Sequence, residues 1–264
     1  MMASQSSKDI TVSLSQLAKM IDHSLLHPTM TDDEITAGLE TSKKYGVATV
    51  CIKPYSIPMA KAYLESSGVG ICAVIGFPHG NSTTHMKILE ATDAAKQGAT
   101  EIDMVINIGK ALGGDWDYVA REVELVNEAV TENGAILKVI FENDFLQDDH
   151  IIKLCQICTA AKAAFIKTST GYGFVKQSSG DYAYKGATLR HLALMRKNAG
   201  KEIQIKAAGG VRTLDELLNV MYLGVTRIGA TATAAILDAA KERGIGEVPK
   251  EVPVPDIKTL GADY

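Results

Sequence analysis

A short run rich in β-branched residues, followed by a longer stretch with helical spacing, recurs eight times along the chain, and this alternation constrains the fold more than any other feature. The runs lie at 19–25, 47–52, 71–76, 101–106, 136–141, 164–168, 203–207 and 226–229. Residues 34–45, 56–66, 84–97, 118–132, 149–161, 187–198, 214–222 and 234–241 carry the helical pattern. Capping side chains open several helices (Thr31 or Asp32, Ser82 or Thr83, Asp148, Thr213), and glycines close several (Gly46, Gly98, Gly134, Gly200, Gly224). Each helix carries the chain back, so that the next strand runs parallel to the last. Eight such units in 264 residues is the size at which a parallel sheet closes on itself. The expected fold is therefore α/β, a single-domain (β/α)8 TIM barrel. An open doubly wound sheet predicts a G-x-G-x-x-G turn after the first strand, and the sequence has none there. The barrel is read over residues 1–246, with a short flexible N-terminus. Residues 247–264, rich in Pro and Val without a helical period, read as a C-terminal tail lying on the surface or partly mobile.

Composition narrows the function. A net charge of −4 gives no broad surface for phosphate neutralisation, so nucleic acid is not expected as a partner, and an anionic substrate needs a local site. The longest apolar runs, such as 136–141, are far too short to span a bilayer, and no membrane partner is expected. The polar, Ser-rich start lacks the pattern of a secretory signal. Four cysteines in a chain of this length do not make a disulfide framework. A cytoplasmic, reducing location is the expectation.

Charged residues in barrel strands need a reason, and in this fold reacting groups stand at the C-terminal strand ends. Asp22, Asp103, Glu142, Lys167 and Lys206 are placed there by the pattern. Lys167 and Lys206 end consecutive strands, which sets them roughly 4.8 Å apart if both point inward. Two ammonium groups that close cannot both stay charged cheaply, so one pKa should fall, and burial acts in the same direction. A neutral lysine is what attack on a carbonyl requires. The other lysine stays cationic, while Asp103 across the barrel compensates charge and moves protons. A purely structural reading makes these lysines ion-pair partners of Asp103 and Glu142. Two lysines on adjacent strand ends, each preceded by Ile and followed by small residues, favour catalysis.

Gly209-Gly210 follows the seventh run, and Gly229-Ala-Thr-Ala-Thr233 follows the eighth and leads into a short helix. Loops in these positions form the usual phosphate cradle of the fold, because glycine lets backbone N–H groups approach an anion at a helix N-terminus. The expected phosphate contacts are Gly209, Gly210, Gly229 and Thr231, with Gly171 and Gly173 adding amides after the sixth run.

Six segments carry a family resemblance: Ile21-Asp-His-Ser-Leu-Leu-His-Pro28, Val50-Cys-Ile-Lys-Pro54, Gly76-Phe-Pro-His-Gly80, Glu101-Ile-Asp-Met-Val-Ile-Asn-Ile-Gly109, Lys167-Thr-Ser-Thr-Gly171 and Lys206-Ala-Ala-Gly-Gly-Val-Arg212. From about residue 17 to residue 244 the sequence resembles the deoxyribose-phosphate aldolases. The resemblance implies a lyase of class I, which reversibly cleaves 2-deoxy-D-ribose 5-phosphate to D-glyceraldehyde 3-phosphate and acetaldehyde in deoxynucleoside catabolism. It implies Lys167 as the Schiff-base nucleophile, Lys206 as the group that lowers its pKa, and Asp103 as a proton relay through water. Asp22, Ser24, Cys51 and Thr170 are the expected substrate contacts. No metal or cofactor is implied, the partners are a phosphorylated sugar and an aldehyde, and a homo-oligomer, dimer or tetramer, is expected. The chain departs from the family pattern in the long stretch 172–185, where Lys176 or Lys185 could supply phosphate contacts. It departs also at Ser24 and His27, which stand for Thr and Lys, and at Ala232, which replaces a small polar residue.

Other signals point elsewhere. Cys155 and Cys158 match C-x-x-C inside an apolar helical pattern and read as buried small residues. His23 and His27 straddle a strand end and cannot form a helical metal pair. Cys51 near the mouth reads first as a small buried hydrophobe. Tyr264, at the end of the tail, is a candidate for proton transfer at the enamine if the tail folds back. The competing functions are a related Schiff-base barrel aldolase for another phosphorylated sugar, a metal-dependent aldolase and a non-catalytic sugar-phosphate-binding barrel. The metal-dependent reading lacks three well-spaced histidines, and the intact Lys167, Lys206 and Asp103 oppose the non-catalytic one.

Overall fold

Helix caps and strand parity together determine how this chain folds. The computed structural model describes residues 8–261. Strand β1 (Asp9–Val12) leads into α1 (Leu14–Lys19), which is started by a reciprocal capping box between Ser13 and Gln16. There follow β2 (Ile21–Leu25), α2 (Asp32–Tyr45), β3 (Thr49–Ile52), α3 (Ile57–Tyr63), β4 (Gly70–Ile75), α4 (Thr84–Gln97), β5 (Glu101–Val105), α5 (Ile108–Leu112) and α6 (Trp116–Glu132). The chain continues with β6 (Ile136–Ile140), α7 (Asp148–Ala160), β7 (Phe165–Lys167), the two-residue strands β8 (Val175–Lys176) and β9 (Tyr182–Ala183), and α8 (Leu189–Asn198). Strand β10 (Gln204–Ala208), α9 (Leu214–Tyr222), β11 (Arg227–Ala230), α10 (Thr233–Glu242) and β12 (Lys250–Pro253) complete it.

Eight parallel strands close into a barrel in the order β10-β11-β2-β3-β4-β5-β6-β7, as the alternation predicts. Alternate strand residues such as Ile102, Met104, Leu137, Val139, Ile166, Ile205 and Ile228 face outward and join the helices in one apolar core. Helix α6 shows the matching stripe, with Val119, Val123, Val126 and Val130 buried at helical spacing. The other strand parity faces inward, and there the chain places charge. No helix among the described residues is long and apolar enough to cross a membrane.

The structure departs from the sequence reading at both ends and in one loop. Lys19, expected in the first strand, ends α1, a helix too short to show a period. Strands β1 and β12 pair antiparallel, Asp9 with Pro253 through Val12 with Lys250, so the expected surface tail contains a strand. Val252, Val254 and Leu260 of that tail are buried. The long stretch 172–185 forms the small hairpin β8–β9. Tyr264 lies outside the described residues.

Candidate active site

The barrel centre is a closed network of ion pairs. The register sets Lys206 beside Lys167, Asp103 beside Lys138 and Asp22 beside Gly229. Asp103 receives Lys138 at 2.7 Å on Oδ1, and Lys167 and Lys206 at 2.8 Å each on Oδ2. Lys206 also meets Asp22 at 2.5 Å. Lys138 reaches Glu101 at 2.8 Å and Asp22 at 3.5 Å. Arg227 closes the lower layer through Asp22 at 2.6 Å and Glu101 at 2.8 Å. The Lys138 ammonium donates to Cys72 Sγ, and the Cys72 thiol donates to Asp103 Oδ1, both at 3.1 Å.

These contacts set the protonation states. Burial alone would push the Asp103 carboxyl up, but Lys138, Lys167 and Lys206 overcome it and hold Asp103 well below the usual carboxylate range. Burial likewise opposes charge on Lys206, and Asp103 and Asp22 more than offset it, so Lys206 titrates above the usual lysine value and stays cationic. Lys138 is raised in the same way by Asp103, Cys72, Asp22 and Glu101 against burial. A hydrogen bond with Cys72, helped by Lys206 against the cost of burial, brings the Cys51 thiol down to about 7. Cys51, Cys72 and Asp103 stand close enough to share a metal ion, as do Asp22, Cys72 and Glu101. Both groups are already bound to lysine ammonium groups, which repel a second cation and suit amine chemistry instead.

Above the network opens a cavity of 910 Å³. Of Lys138, Lys167, Lys206 and Arg227, Lys167 alone lines it. Ser24, Thr170, Gly171, Gly209, Gly210, Gly229 and Thr231 also reach it, as their strand-end positions predict. Gly209 and Gly210 hold φ of +77° and +95°, and a Cβ on Gly209 would press within 3.1 Å of the Gly186 backbone, so glycine is needed there. The N-cap of α10 is Ala232, which makes no side-chain hydrogen bond to the first amides of the helix. Thr170 is held from below by Glu142, which accepts both its hydroxyl and its N–H. Burial pushes the Glu142 carboxyl up to about 7, with Thr170 opposing and Asp144 adding to the rise.

Several expected contacts lie elsewhere. Asp22 is fully buried and does not line the cavity, its carboxylate taken by Thr49, Lys206 and Arg227. Cys51 is 1% exposed and sits beneath the cavity wall, in an apolar cluster with Leu26, Cys72 and Val74. Gly173 does not line the cavity, because it packs on Glu142, where a Cβ would come within 2.5 Å. Neither Lys176 nor Lys185 lines it; the Lys185 N–H is bound to Asp144. Glu142 does not pair with the lysines, since Thr170 takes its oxygens. Cys155 and Cys158 are buried, as expected of a helix face, and burial pushes the Cys155 thiol up to about 12. His23 binds Thr233 Oγ1, and His27 binds Thr29 Oγ1.

Sequence reasoning missed Lys138, in the middle of β6, Glu101 and Arg227, which open β5 and β11 at the end of the strands away from the cavity, and Arg212, which lines the cavity. The available signal was parity: Lys138 is the one charge in Ile136-Leu-Lys-Val-Ile140, at the position that pairs with Asp103.

Residues 16–239 match the family profile described as DeoC/LacD family aldolase. A deoxyribose-phosphate aldolase of Rhodopirellula baltica is 46% identical over 227 residues, covering 86% of this chain and 90% of that one. One from Caldanaerobacter subterraneus subsp. tengcongensis is 42% identical over 235 residues, covering 89% and 97%. Among solved structures, the tetrameric deoxyribose phosphate aldolase of Aeropyrum pernix superposes with a TM-score of 0.77 at 27% identity, covering 88% of this chain and 93% of that one.

Proposed function

The chain belongs to the DeoC/LacD family of aldolases, and on that premise we propose that it reversibly cleaves 2-deoxy-D-ribose 5-phosphate to D-glyceraldehyde 3-phosphate and acetaldehyde through a Schiff base on Lys167. The charge balance of the barrel centre supports this reading. Four cations, Lys138, Lys167, Lys206 and Arg227, face three carboxylates, Asp22, Glu101 and Asp103. Lys138 meets all three carboxylates, and Lys206 and Arg227 meet two each. Lys167 meets Asp103 only, and it is the one of the four at the cavity wall. A free amine on Lys167 therefore balances the network and strands no carboxylate, because Asp103 keeps Lys138 and Lys206.

The steps follow from these positions. The Lys167 amine attacks the C1 carbonyl of the open-chain sugar, and loss of water from the carbinolamine gives an iminium. The iminium draws electrons as the C2–C3 bond breaks. Asp103, ionised by its lysines, takes the proton of the C3 hydroxyl through a water, and the electron pair settles as an enamine. Lys206 returns a proton to C2, and hydrolysis releases acetaldehyde and the free lysine. The phosphate rests on the amides of Gly171, Gly209, Gly210, Gly229 and Thr231 and on the start of α10, with Arg212 on the same wall. Ser24 and Thr170 offer hydroxyls to the sugar.

Incubation with deoxyribose 5-phosphate, reduction with borohydride and mass mapping of the adduct tests the reading. A reduced two-carbon adduct on Lys167 is expected, and its absence with wild-type protein would refute the assignment. We also infer a cytoplasmic, catabolic enzyme that assembles as a homo-oligomer, a reading supported by the tetrameric Aeropyrum pernix relative; light scattering giving a single-chain mass would oppose the assembly.

A further inference from the structure

Next to the cavity at Lys167 lies a second one of 280 Å³, and the two share only Leu26, Pro28 and Tyr172 in their walls. Its lining is mostly apolar, with Pro54, Val74, Ile75 and Phe77 among its residues. Two charged groups lie on it, and both are engaged: Lys53 donates to the His27 carbonyl at 2.8 Å, and Glu90 accepts the Gly76 N–H at 2.7 Å. The space left suits an alkyl group rather than a polar one.

Tyr172 stands between the two cavities. Its ring meets Phe77 edge-on, with centroids 5.7 Å apart and planes at 83°. Both rings pack on the apolar cluster of Leu26, Cys51, Cys72 and Val74, which is separate from the main core. The backbone of Tyr172 is anchored as well. Its N–H donates to Thr170 Oγ1 at 2.9 Å, and Thr170 is itself bound to buried Glu142. A buried carboxylate thus fixes the position of the ring from below.

The direction of the substrate gives this wall its meaning, and here the inference rests on the aldolase reading above. The phosphate is drawn to the turns after β10 and β11, and in the closed barrel β4 lies opposite β10. A carbon added to the two-carbon donor on Lys167, pointing away from the phosphate, meets the side formed by Leu26, Pro28 and Tyr172. We propose that Tyr172, braced by Phe77, determines donor size: it closes the reacting cavity against the apolar side cavity and so limits the carbonyl donor to two carbons.

The test is aldol addition to glyceraldehyde 3-phosphate with acetaldehyde, propanal or acetone as donor, using the full-length protein. In Tyr172→Ala the cavities join, and kcat/KM for at least one three-carbon donor, relative to acetaldehyde, should rise by about tenfold or more, the usual worth of one extra carbon in an apolar pocket. Phe77→Ala should shift the ratio in the same direction by removing the brace from the β4 side. Tyr172→Phe keeps the ring and should keep the wild-type ratio, which a role through the hydroxyl would not predict. Unchanged ratios in both alanine variants overturn the proposal. So does loss of the acetaldehyde reaction in both, because a wall that only limits size is dispensable for the small donor. Wild-type protein inactive with acetaldehyde would instead refute the aldolase reading.

Discussion

Glu142 sits at φ 59°, a left-handed conformation that is strained for a glutamate, and keeps its carboxyl almost wholly out of water. Its pKa of about 7 lies above the ordinary 4.5, so the fold favours the protonated form. The resulting stability is fully present below about pH 4.5 and is lost as pH rises through about 7. Glu142→Gln stays neutral throughout, so its stability relative to wild type should improve by roughly 3 kcal/mol between pH 4.5 and pH 8. Urea denaturation at the two pH values reads this, and a pH-independent difference would contradict it. Lys138 presents the reverse case, a cation that satisfies three carboxylates. Lys138→Met leaves buried negative charge underpaired and should cost about 3–5 kcal/mol, with loss of turnover as Asp103 shifts. A denaturation midpoint close to wild type would show that the remaining cations suffice.

Helices α4 and α6 are joined by a fully buried ion pair, Lys87 to Glu122 at 2.9 Å. The same Lys87 ammonium donates to the Val105 carbonyl at the end of β5, and Glu122 accepts the Asn107 N–H just beyond. The pair therefore fixes the β5 exit close above Asp103. Burial pushes Lys87 down and Glu122 up, so each charge depends on the other to remain. Glu122→Ala should cost about 3–5 kcal/mol, whereas the double change Lys87→Met with Glu122→Leu should recover most of it. Chemical denaturation of both variants measures the difference, and equal losses would reject the pairing argument. Gly80, in the loop after β4, holds φ at +70°, and a Cβ there would lie 1.8 Å from the Ile106 carbonyl oxygen. The backbone conformation alone makes Gly80→Ala cost about 1–3 kcal/mol, and the clash adds to it, so a clear fall in melting temperature is expected.

At the scale of the whole molecule, the two ends of the described chain hold each other. Strands β1 and β12 pair, and the following residues pass α9, where the Asn219 side chain donates to the Pro255 carbonyl at 2.7 Å. Farther along, the Gly261 N–H donates to Glu216 at 2.8 Å. There Gly261 packs on the backbone of Gly210, in the turn assigned to phosphate. Truncation after Gly246 removes buried Val252, Val254 and Leu260, each worth about 1.5–3 kcal/mol when fully buried. The shortened protein should melt lower, and any folded fraction should show a raised KM for the phosphorylated sugar. A truncated protein with wild-type melting temperature and KM would show the clasp to be dispensable.

By itself the sequence determined the barrel, because its evidence is local: eight runs, eight helical stretches, caps and glycines within a few residues of each junction. It also determined that Lys167 and Lys206 would be neighbours, since consecutive parallel units adjoin and both lysines end their runs. The glycine turn at Gly209-Gly210 was legible for the same reason, whereas Gly229 lies within β11. Tertiary structure alone decided which charges share the centre. Lys138 reaches Asp22 and Arg227 reaches Glu101 across the barrel, contacts set by the register and inward parity of strands far apart in sequence. It decided also that Asp22 supports Lys206 from below, and that 250–253 become a strand, for which the partner lies some 240 residues away at β1. Tyr172 acquires its place as a wall only where the loop after β7 meets the end of β4. Local pattern specifies an element and its faces; closure of the barrel specifies which faces meet.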